Sequence, residues 1–557
     1  MFWKAHYIFC EEGRVIKPDK AQTQSGLDLT CTGTGLGKKH SRRSKMAMLV
    51  LGVVCLLLAH VSASPPKKNA LVIIADDAGF ETQVYNNSVC KTPNIDQLAQ
   101  SSVVIRHAYT SVSSCSPSRS AILTGLPQHQ NGMYGLEHTV HHFRSFDAVQ
   151  TLPVILKPAG IKTAIIGKKH VAPAEVYKFD YEETEFNNPM LQCARNITRM
   201  KEFVQTFLST NTTKPFLLYI GFKDPHRAGP TDIPKYGQFA ERFGNGQPGM
   251  GDITDWKPAQ YEPSDVIVPP YLPDTLATRT DIAAQYTSIS RMDAGVGMLL
   301  KELQAFGHLN DTLIIYTADN GIPFPNAKTN LYEPGMGEPM MVSNPYVKQR
   351  WGQYSEAITS TTDIVPTVLD WFGVSYPDYV LEGKKVTLTG KSMLPITSAE
   401  PTGWDHIFSS HNFHEVTMYY PMRVMRDRQY RLIHNMNYRA PYPIAQDLAA
   451  CPTFIDILNN TAAGKPTKWY KTLDQYYYRP EWELYDVTND PLEKVNLAYD
   501  AAHKSTLEAM QTAVCDWRHA TNDPWRCFPE GVIHGPKCID LQNEPPKNKY
   551  AKEYNGN

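Results

Sequence analysis

The 557-residue chain predicts an α/β fold, a doubly wound layer built on a buried sheet, followed by a smaller α+β domain. Three observations carry this. Short, almost wholly apolar runs rich in β-formers recur along the chain, as strands buried on both faces require. Stretches of helical periodicity separate them. After about Pro401 the runs shorten toward an antiparallel pattern. A chain this long exceeds one small core, so two domains are expected, 64–400 and 401–557, behind an N-terminal extension 1–63.

Bulk composition bounds the function. Hydrophobic residues at 42% and charged ones at 20% describe an ordinary globular protein. Lys and Arg total 55 against 56 Asp and Glu, so no broad polyanion-binding surface is implied and nucleic acid is not an expected partner. A locally basic pocket stays open. No repeat of 20–50 residues is visible.

The N-terminus reads as a targeting segment. Gly37–Lys45 is basic, Met46–Ala59 is almost wholly apolar, and Val61-Ser62-Ala63 offers small residues for a signal peptidase. This is a secretory signal with cleavage after Ala63, and its apolar run is short for a bilayer span. Residues 1–45 lack periodicity, so initiation at Met46 or Met48 would leave an ordinary signal. Glycosylation sequons at Asn86, Asn196, Asn211, Asn310 and Asn459 agree with secretory entry. Of ten cysteines, Cys10, Cys31 and Cys55 precede the cleavage site. The remaining number is odd, so at least one is unpaired or chemically special. Cys527 and Cys538 flank a Pro/Gly-rich loop and are the best candidate disulfide.

Four apolar runs end abruptly in polar residues. Ala70–Ala75 leads into Asp76-Asp77, Thr163–Ile166 into Gly167-Lys168-Lys169-His170, Phe216–Phe222 into Lys223-Asp224-Pro225-His226, and Thr312–Tyr316 into Thr317-Ala318-Asp319-Asn320-Gly321. Helical patterns intervene from Thr92, over Leu152–Ala159, and from about Ala284 to Phe306. Beyond Pro401, Met418–Pro421, Gln429–Ile433 and Glu483–Asp486 read as strands and Ser505–Trp517 as a helix. In such a layer ligands bind beyond the carboxyl ends of the strands. Each polar end alone is more often a turn; four together favour one rim.

Cys115-Ser116-Pro117-Ser118-Arg119 is a small-residue turn feeding a helix, with Pro117 in the first turn, where a missing N–H costs nothing. Most free cysteines are small core residues, which is the plain reading of Cys115 taken alone. Its place at a helix N-terminus, one turn before Arg119, also suits bound negative charge. On the rim, Asp76, Asp77, Asp319 and Asn320 are hard oxygen donors that point to Ca²⁺ or Mg²⁺ rather than zinc. Arg119, Lys168 and Lys328, with His170 and His226, would surround an anionic group, which together describes a sulfate or phosphate ester site.

Cys115-x-Pro117-x-Arg119-x-x-x-Leu123-Thr124-Gly125 resembles in full the signature of the type I, formylglycine-dependent sulfatases. Asp76-Asp77, Gly167-Lys168-x-His170, Asp224-Pro225-His226 and Asp319-Asn320-Gly321 are similar to the accompanying motifs in order. The resemblance implies an alkaline-phosphatase-like sulfatase fold, with a large mixed, mostly parallel sheet flanked by helices and a smaller C-terminal α+β domain carrying an antiparallel sheet. It implies that Asp76, Asp77, Asp319, Asn320 and modified Cys115 hold Ca²⁺. It further implies that Cys115 is converted to formylglycine by the formylglycine-generating enzyme. One hydroxyl of the hydrated aldehyde would attack sulfur and the second would expel sulfate. Arg119 and Lys168 would hold the aldehyde hydrate and the sulfuryl oxygens, His226 would be the acid for the leaving amine, and His170 would assist sulfate release.

Ser111–Arg119, Gly125–Gly135, Asp319–Pro325 and His414–Met418 look most like the sulfamidase branch of that family. That branch implies a sulfohydrolase of the lysosomal lumen, a homodimer, which removes N-linked sulfate from non-reducing-end glucosamine of heparan sulfate. Lys328 departs from it: the branch carries arginine where this chain has lysine, which keeps the charge but loses the fork. The alternative is an O-sulfatase acting on a sulfated glycosaminoglycan or small ester. A phosphatase would normally carry Ser or Thr and zinc, and a non-catalytic sugar-binding protein would have lost a site residue; neither holds here. His414, Glu415 and Arg423 either reach the sugar or serve structure.

Overall fold

Four apolar runs become neighbouring strands of one sheet in the computed structural model, which describes residues 68–188, 192–210, 213–229, 235–529, 531–534 and 537–540. The signal segment, with Cys10, Cys31 and Cys55, and the Asn211 sequon lie outside the described residues. The strands are β1 (Asn69–Ala75), β2 (Val103–Tyr109), β3 (Lys162–Gly167), β4 (Tyr181–Thr184), β5 (Phe216–Gly221), β6 (Thr312–Ala318), β7 (Gly337–Ser343) and β8 (Gln353–Ser360). Their order across the sheet is β4-β3-β5-β1-β6-β7-β2-β8. Only β7 runs against its neighbours, so the sheet is mixed and mostly parallel.

Alternation along β1 shows why the strand is apolar throughout, since successive side chains leave on opposite faces. Leu71, Ile73 and Ala75 pack with Met200, Val204 and Leu299 from helices Ile197–Thr210 and Leu276–Ala305. Ala70, Val72 and Ile74 pack on the other face with Ile122, Leu123, Val365 and Val368 from helices Cys115–Thr124 and Ile364–Phe372. Each fully buried Leu or Ile contributes about 1.5–3 kcal/mol, so losing either helix layer would expose one whole face of the strand.

The C-terminal part carries a four-stranded antiparallel sheet, His406–His411, Met422–Asp427, Tyr430–Asn435 and Trp482–Asp486, in that order. Met418–Pro421 is not a strand as expected. Pro421 lacks the N–H a ladder needs, and pairing starts at Met422. Helix Lys504–Ala520 places Met510 and Val514 on Leu432 and Leu484. The long central helix begins at Leu276, earlier than its apolar stripe indicates, because the Thr275 side chain accepts from Thr278 N and caps it there. Cys527 and Cys538 are disulfide-bonded. Among the described residues no helix is long and apolar enough to cross a membrane.

Candidate active site

Register brings the polar strand ends to one level. Ile74 and Gly167 both pair with Gly221, and Ala75 pairs with Ala318. Asp76-Asp77, Lys168, the Asp224–His226 turn and Asp319-Asn320 therefore leave the sheet side by side. Two glycines permit this closeness. A Cβ on Gly167 would lie 2.1 Å from the Gly221 carbonyl oxygen, and one on Gly221 would lie 2.1 Å from that of Lys168. Asp76 N donates to Asp224 O and Asp319 N to Ala75 O, each at 3.1 Å, which ties three of the four ends together.

The Cys115–Thr124 helix is buried along its entire length, Arg119 included, which an amphipathic surface helix would not be. Its polar residues find partners inside: Ser118 with Thr110, Ser120 with Asn131. Gly125, at φ 72°, ends it in the left-handed conformation that glycine adopts without strain. The helix start points Cys115 Sγ at Asp76 Oδ1 (3.6 Å) and Asp77 Oδ1 (3.8 Å).

Around the sulfur, cations and carboxylates pair off. Lys168 Nζ lies 2.5 Å from Asp76 Oδ2, Lys328 Nζ 2.7 Å from Asp77 Oδ2, and Arg119 Nε 2.8 Å from Asp319 Oδ2. Asn320 Nδ2 donates to Asp77 Oδ1 at 2.7 Å, and Asp77 N donates to Asp319 Oδ1 at 3.1 Å. One ligand atom each from Asp76, Asp77, Cys115 and His226 falls within 4.8 Å of the others. His226 Nδ1 donates to the Arg227 carbonyl at 2.6 Å, which leaves Nε2 facing Lys328 at 3.1 Å. His170 Nε2 meets His138 Nδ1 at 2.6 Å, and His170 N donates to Glu185 Oε1 at 3.1 Å.

Burial dominates the electrostatics. It pushes Asp77 up to about 6 and Asp319 up to about 7, each raised further by the neighbouring carboxylates against the nearby cations. Burial also acts upward on Asp76, but Lys168, His226, Arg119 and Lys328 overcome it and hold that carboxyl well below its usual range. The Cys115 thiol is pushed well up by burial, which Lys168 and Lys328 only partly oppose. Burial and then Lys328 push His226 well down, and burial and then Lys168 do the same to His170.

A hard dication fits this donor set. Three carboxylates converge, two are held above their usual range by burial and by each other, and Asn320 Oδ1 is buried without a partner.

Asp224, beside the His226 motif, and Arg423, left open between sugar contact and structure, both make buried ion pairs away from the sulfur. Asp224 is gripped by Arg195 Nη1 (2.7 Å) and by Arg291 Nε and Nη2 (2.7 and 2.8 Å), which anchors the turn carrying His226 to the central helix. Arg423 forks onto Asp523 at 2.7 and 2.8 Å and holds structure in the C-terminal part. His414 comes closer: its Nδ1 lies 2.8 Å from Ser114 Oγ, beside Cys115. Sequence reading missed Asp447, whose Oδ2 stands 3.4 Å from Lys328 Nζ and 4.0 Å from His226 Nε2. It sits in the four-residue helix Gln446–Ala449, whose Gln446 N donates to Glu415. No motif surrounds it, and an acid in a first helical turn is usually only a dipole partner.

The remaining sequons sit at the surface or near it: Asn86, Asn310 and Asn459 are exposed, whereas Asn196 is half-buried and accepts from Arg199 N.

The sheet order and this rim define an alkaline-phosphatase-like hydrolase fold. A putative sulfatase from Bacteroides thetaiotaomicron shares it at a TM-score of 0.57 and 20% identity, over 86% of this chain and 99% of that one. The phosphonate monoester hydrolase of Agrobacterium radiobacter shares it at 0.54 and 18%, over 86% and 100%. Residues 68–374 match the Sulfatase family, and the chain belongs to that family. It is 54% identical to human N-sulphoglucosamine sulphohydrolase across 86% of this chain and 95% of the human protein. It is 25% identical to an ulvan-active sulfatase of Formosa agariphila across 82% and 76%.

Proposed function

We propose that this protein hydrolyses the N–S bond of N-sulfated glucosamine at the non-reducing end of heparan sulfate fragments. The observation that carries the reading is the 54% identity to the human sulfohydrolase over nearly that protein's full length. A rim holding every expected group supports it. Entry through the secretory pathway to the lysosomal lumen, and a homodimeric state, belong to the same reading.

Asp76, Asp77, Asp319, Asn320 and residue 115 would hold Ca²⁺, which when bound supplies positive charge beside the nucleophile. Formylglycine, made from Cys115 by the generating enzyme, supplies a hydrated aldehyde with two hydroxyls where a thiol has none. The chain's own residues do the rest. Arg119 and Lys168, fixed by Asp319 and Asp76, hold positive charge against the sulfuryl oxygens at the buried end of the pocket. Lys328 adds a third cation, oriented between Asp77 and Asp447. His226, its Nδ1–H engaged on a carbonyl, presents Nε2 beside the Lys328 ammonium at 3.1 Å, from which it would take the proton that it passes to the leaving nitrogen. His170, paired with His138, would assist departure of sulfate.

Purified protein offered N-sulfoglucosamine and 6-O-sulfated glucosamine decides the matter: hydrolysis of the first is expected, and a preference for the second would overturn the N-specific reading. Lys328 favours one second reading, an O-sulfatase of the same chemistry, because an ammonium lacks the bidentate fork of the guanidinium expected in the sulfamidase branch.

A further inference from the structure

We infer that Glu137, His138 and His170 form a second metal site, one for a transition metal such as Zn²⁺, on the flank of the sulfuryl pocket. One ligand atom from each of the three lies within 4.8 Å of the others. The two imidazoles face each other at 2.6 Å, His138 Nδ1 to His170 Nε2. Glu137 and His170 are 9% and 7% exposed, and each leaves a buried atom without a partner, Glu137 Oε1 and His170 Nδ1. Buried polar atoms left unpaired cost free energy, and a ligand that engages the carboxylate removes part of that cost.

The donor chemistry separates this site from the oxygen-rich rim. Imidazole nitrogens suit zinc or copper, whereas carboxylate and amide oxygens suit calcium. Two histidines and a glutamate form a three-ligand zinc set with a fourth position open. Ligands about 2.0–2.2 Å from a tetrahedral ion stand roughly 3.4 Å apart, so the rings must separate by less than an ångström while the carboxylate closes in. His138 lies on a loop and is only half-buried, which lets it move. The proton now shared between the two rings passes to the far nitrogen of one of them, so that each neutral ring offers one lone pair.

Neighbouring charge permits a dication. Lys168 is engaged on Asp76 and Lys169 on Glu182, while the Glu185 carboxylate accepts from the backbone of Lys169 and His170. Glu137 N donates to Ser116 Oγ at 3.2 Å, which ties the site to the helix that carries Cys115. A metal here occupies the lone pair of His170 and so inhibits sulfate release. Binding stands on geometry alone; inhibition rests on the role proposed for His170.

The test titrates purified protein, saturated with Ca²⁺, with Zn²⁺ by calorimetry and with Co²⁺ by visible absorption, and follows sulfohydrolysis in parallel. One Zn²⁺ per chain, a four-coordinate Co²⁺ spectrum and inhibition that tracks occupancy are expected. In Glu137→Gln and His138→Gln, both the affinity and the sensitivity to Zn²⁺ should fall about 10-fold or more, while the Ca²⁺-dependent rise in melting temperature persists as proof of folding. Absence of a Zn²⁺ event, or Zn²⁺ binding equal in the two variants and the parent, overturns the site. Binding without inhibition overturns the regulatory part. Should no sulfated substrate be hydrolysed, calorimetry and the Co²⁺ spectrum still decide the site while the functional reading fails.

Discussion

Lys328 Nζ stands 2.7 Å from Asp77 Oδ2 and 3.4 Å from Asp447 Oδ2, so one ammonium joins the end of the first strand to a helical turn 119 residues beyond the lysine. Asp447 orients a cation that itself faces Asp77, one of the carboxylates proposed to hold the metal. Replacing Asp447 with Asn keeps the shape and removes the charge that positions Lys328. Steady-state kinetics should show kcat/KM lower by about 10- to 100-fold, as for outer groups that orient metal-site residues. An unchanged kcat/KM would place Asp447 outside the reaction.

Lys328 itself is testable in both directions. Lys328→Met should lower kcat for N-sulfoglucosamine by about 10²–10³-fold, the cost of removing a charge-stabilising donor. Lys328→Arg restores charge and adds the fork, and should retain most N-sulfate hydrolysis if the sulfamate reading holds. Selective loss of N-sulfate over O-sulfate hydrolysis in that variant would instead support the O-sulfatase alternative.

The proposed conversion of Cys115 can be read without an assay. The tryptic peptide His107–Arg119 should be lighter than its sequence predicts, by the exchange of sulfur and two hydrogens for one oxygen. Cys115→Ser should leave folding intact and hydrolysis abolished. Full activity with an unmodified thiol would remove the aldehyde from the mechanism.

Calcium should stabilise the fold, because the carboxylate cluster exists only when folded. At a free concentration about 100 times its dissociation constant, the ion adds about 2.7 kcal/mol to unfolding stability. Thermal melts with Ca²⁺ and after chelation measure this. Asn320→Ala, which deletes the orphan Oδ1, should shrink the difference.

Acid stability has a contributor far from the rim. His129 is fully buried between Ser410 and Thr521, and burial lowers its pKa to about 3. In the unfolded chain it titrates near about 6.5. Between those values the unfolded state holds the extra proton, so stability falls as pH drops below about 6.5 and the loss is complete near pH 3. At pH 5 the cost is about 2 kcal/mol. Denaturant unfolding at pH 7 and pH 5 should show His129→Gln losing that much less than the parent.

Much of the site was legible along the chain because it lies where local chemistry changes abruptly. Asp76, Lys168, His226 and Asp319 follow apolar runs, and parallel strands necessarily release their ends on one edge. The edge strands β4 and β8, and the inner strands β2 and β7, were not legible. Tyr181–Thr184 carries two glutamates and Val103–Tyr109 an arginine and a histidine, so neither reads as a buried run. Asp224 and Arg423 show what sequence leaves open. A charged residue beside a motif looks functional until its buried partners, Arg195 and Arg291 or Asp523, are in view.

By itself the sequence determined the α/β class, the order of the polar strand ends and the candidate nucleophile, since periodicity, turn chemistry and the Cys115–Gly125 signature are properties of short segments. Tertiary structure alone decided that Asp447 faces Lys328, that Asp224 is an anchor, and that His138 meets His170. The reason is physical. These pairings join residues tens to more than a hundred positions apart, and buried charges accept whichever partner the packing of the sheet and helices brings within a few ångströms.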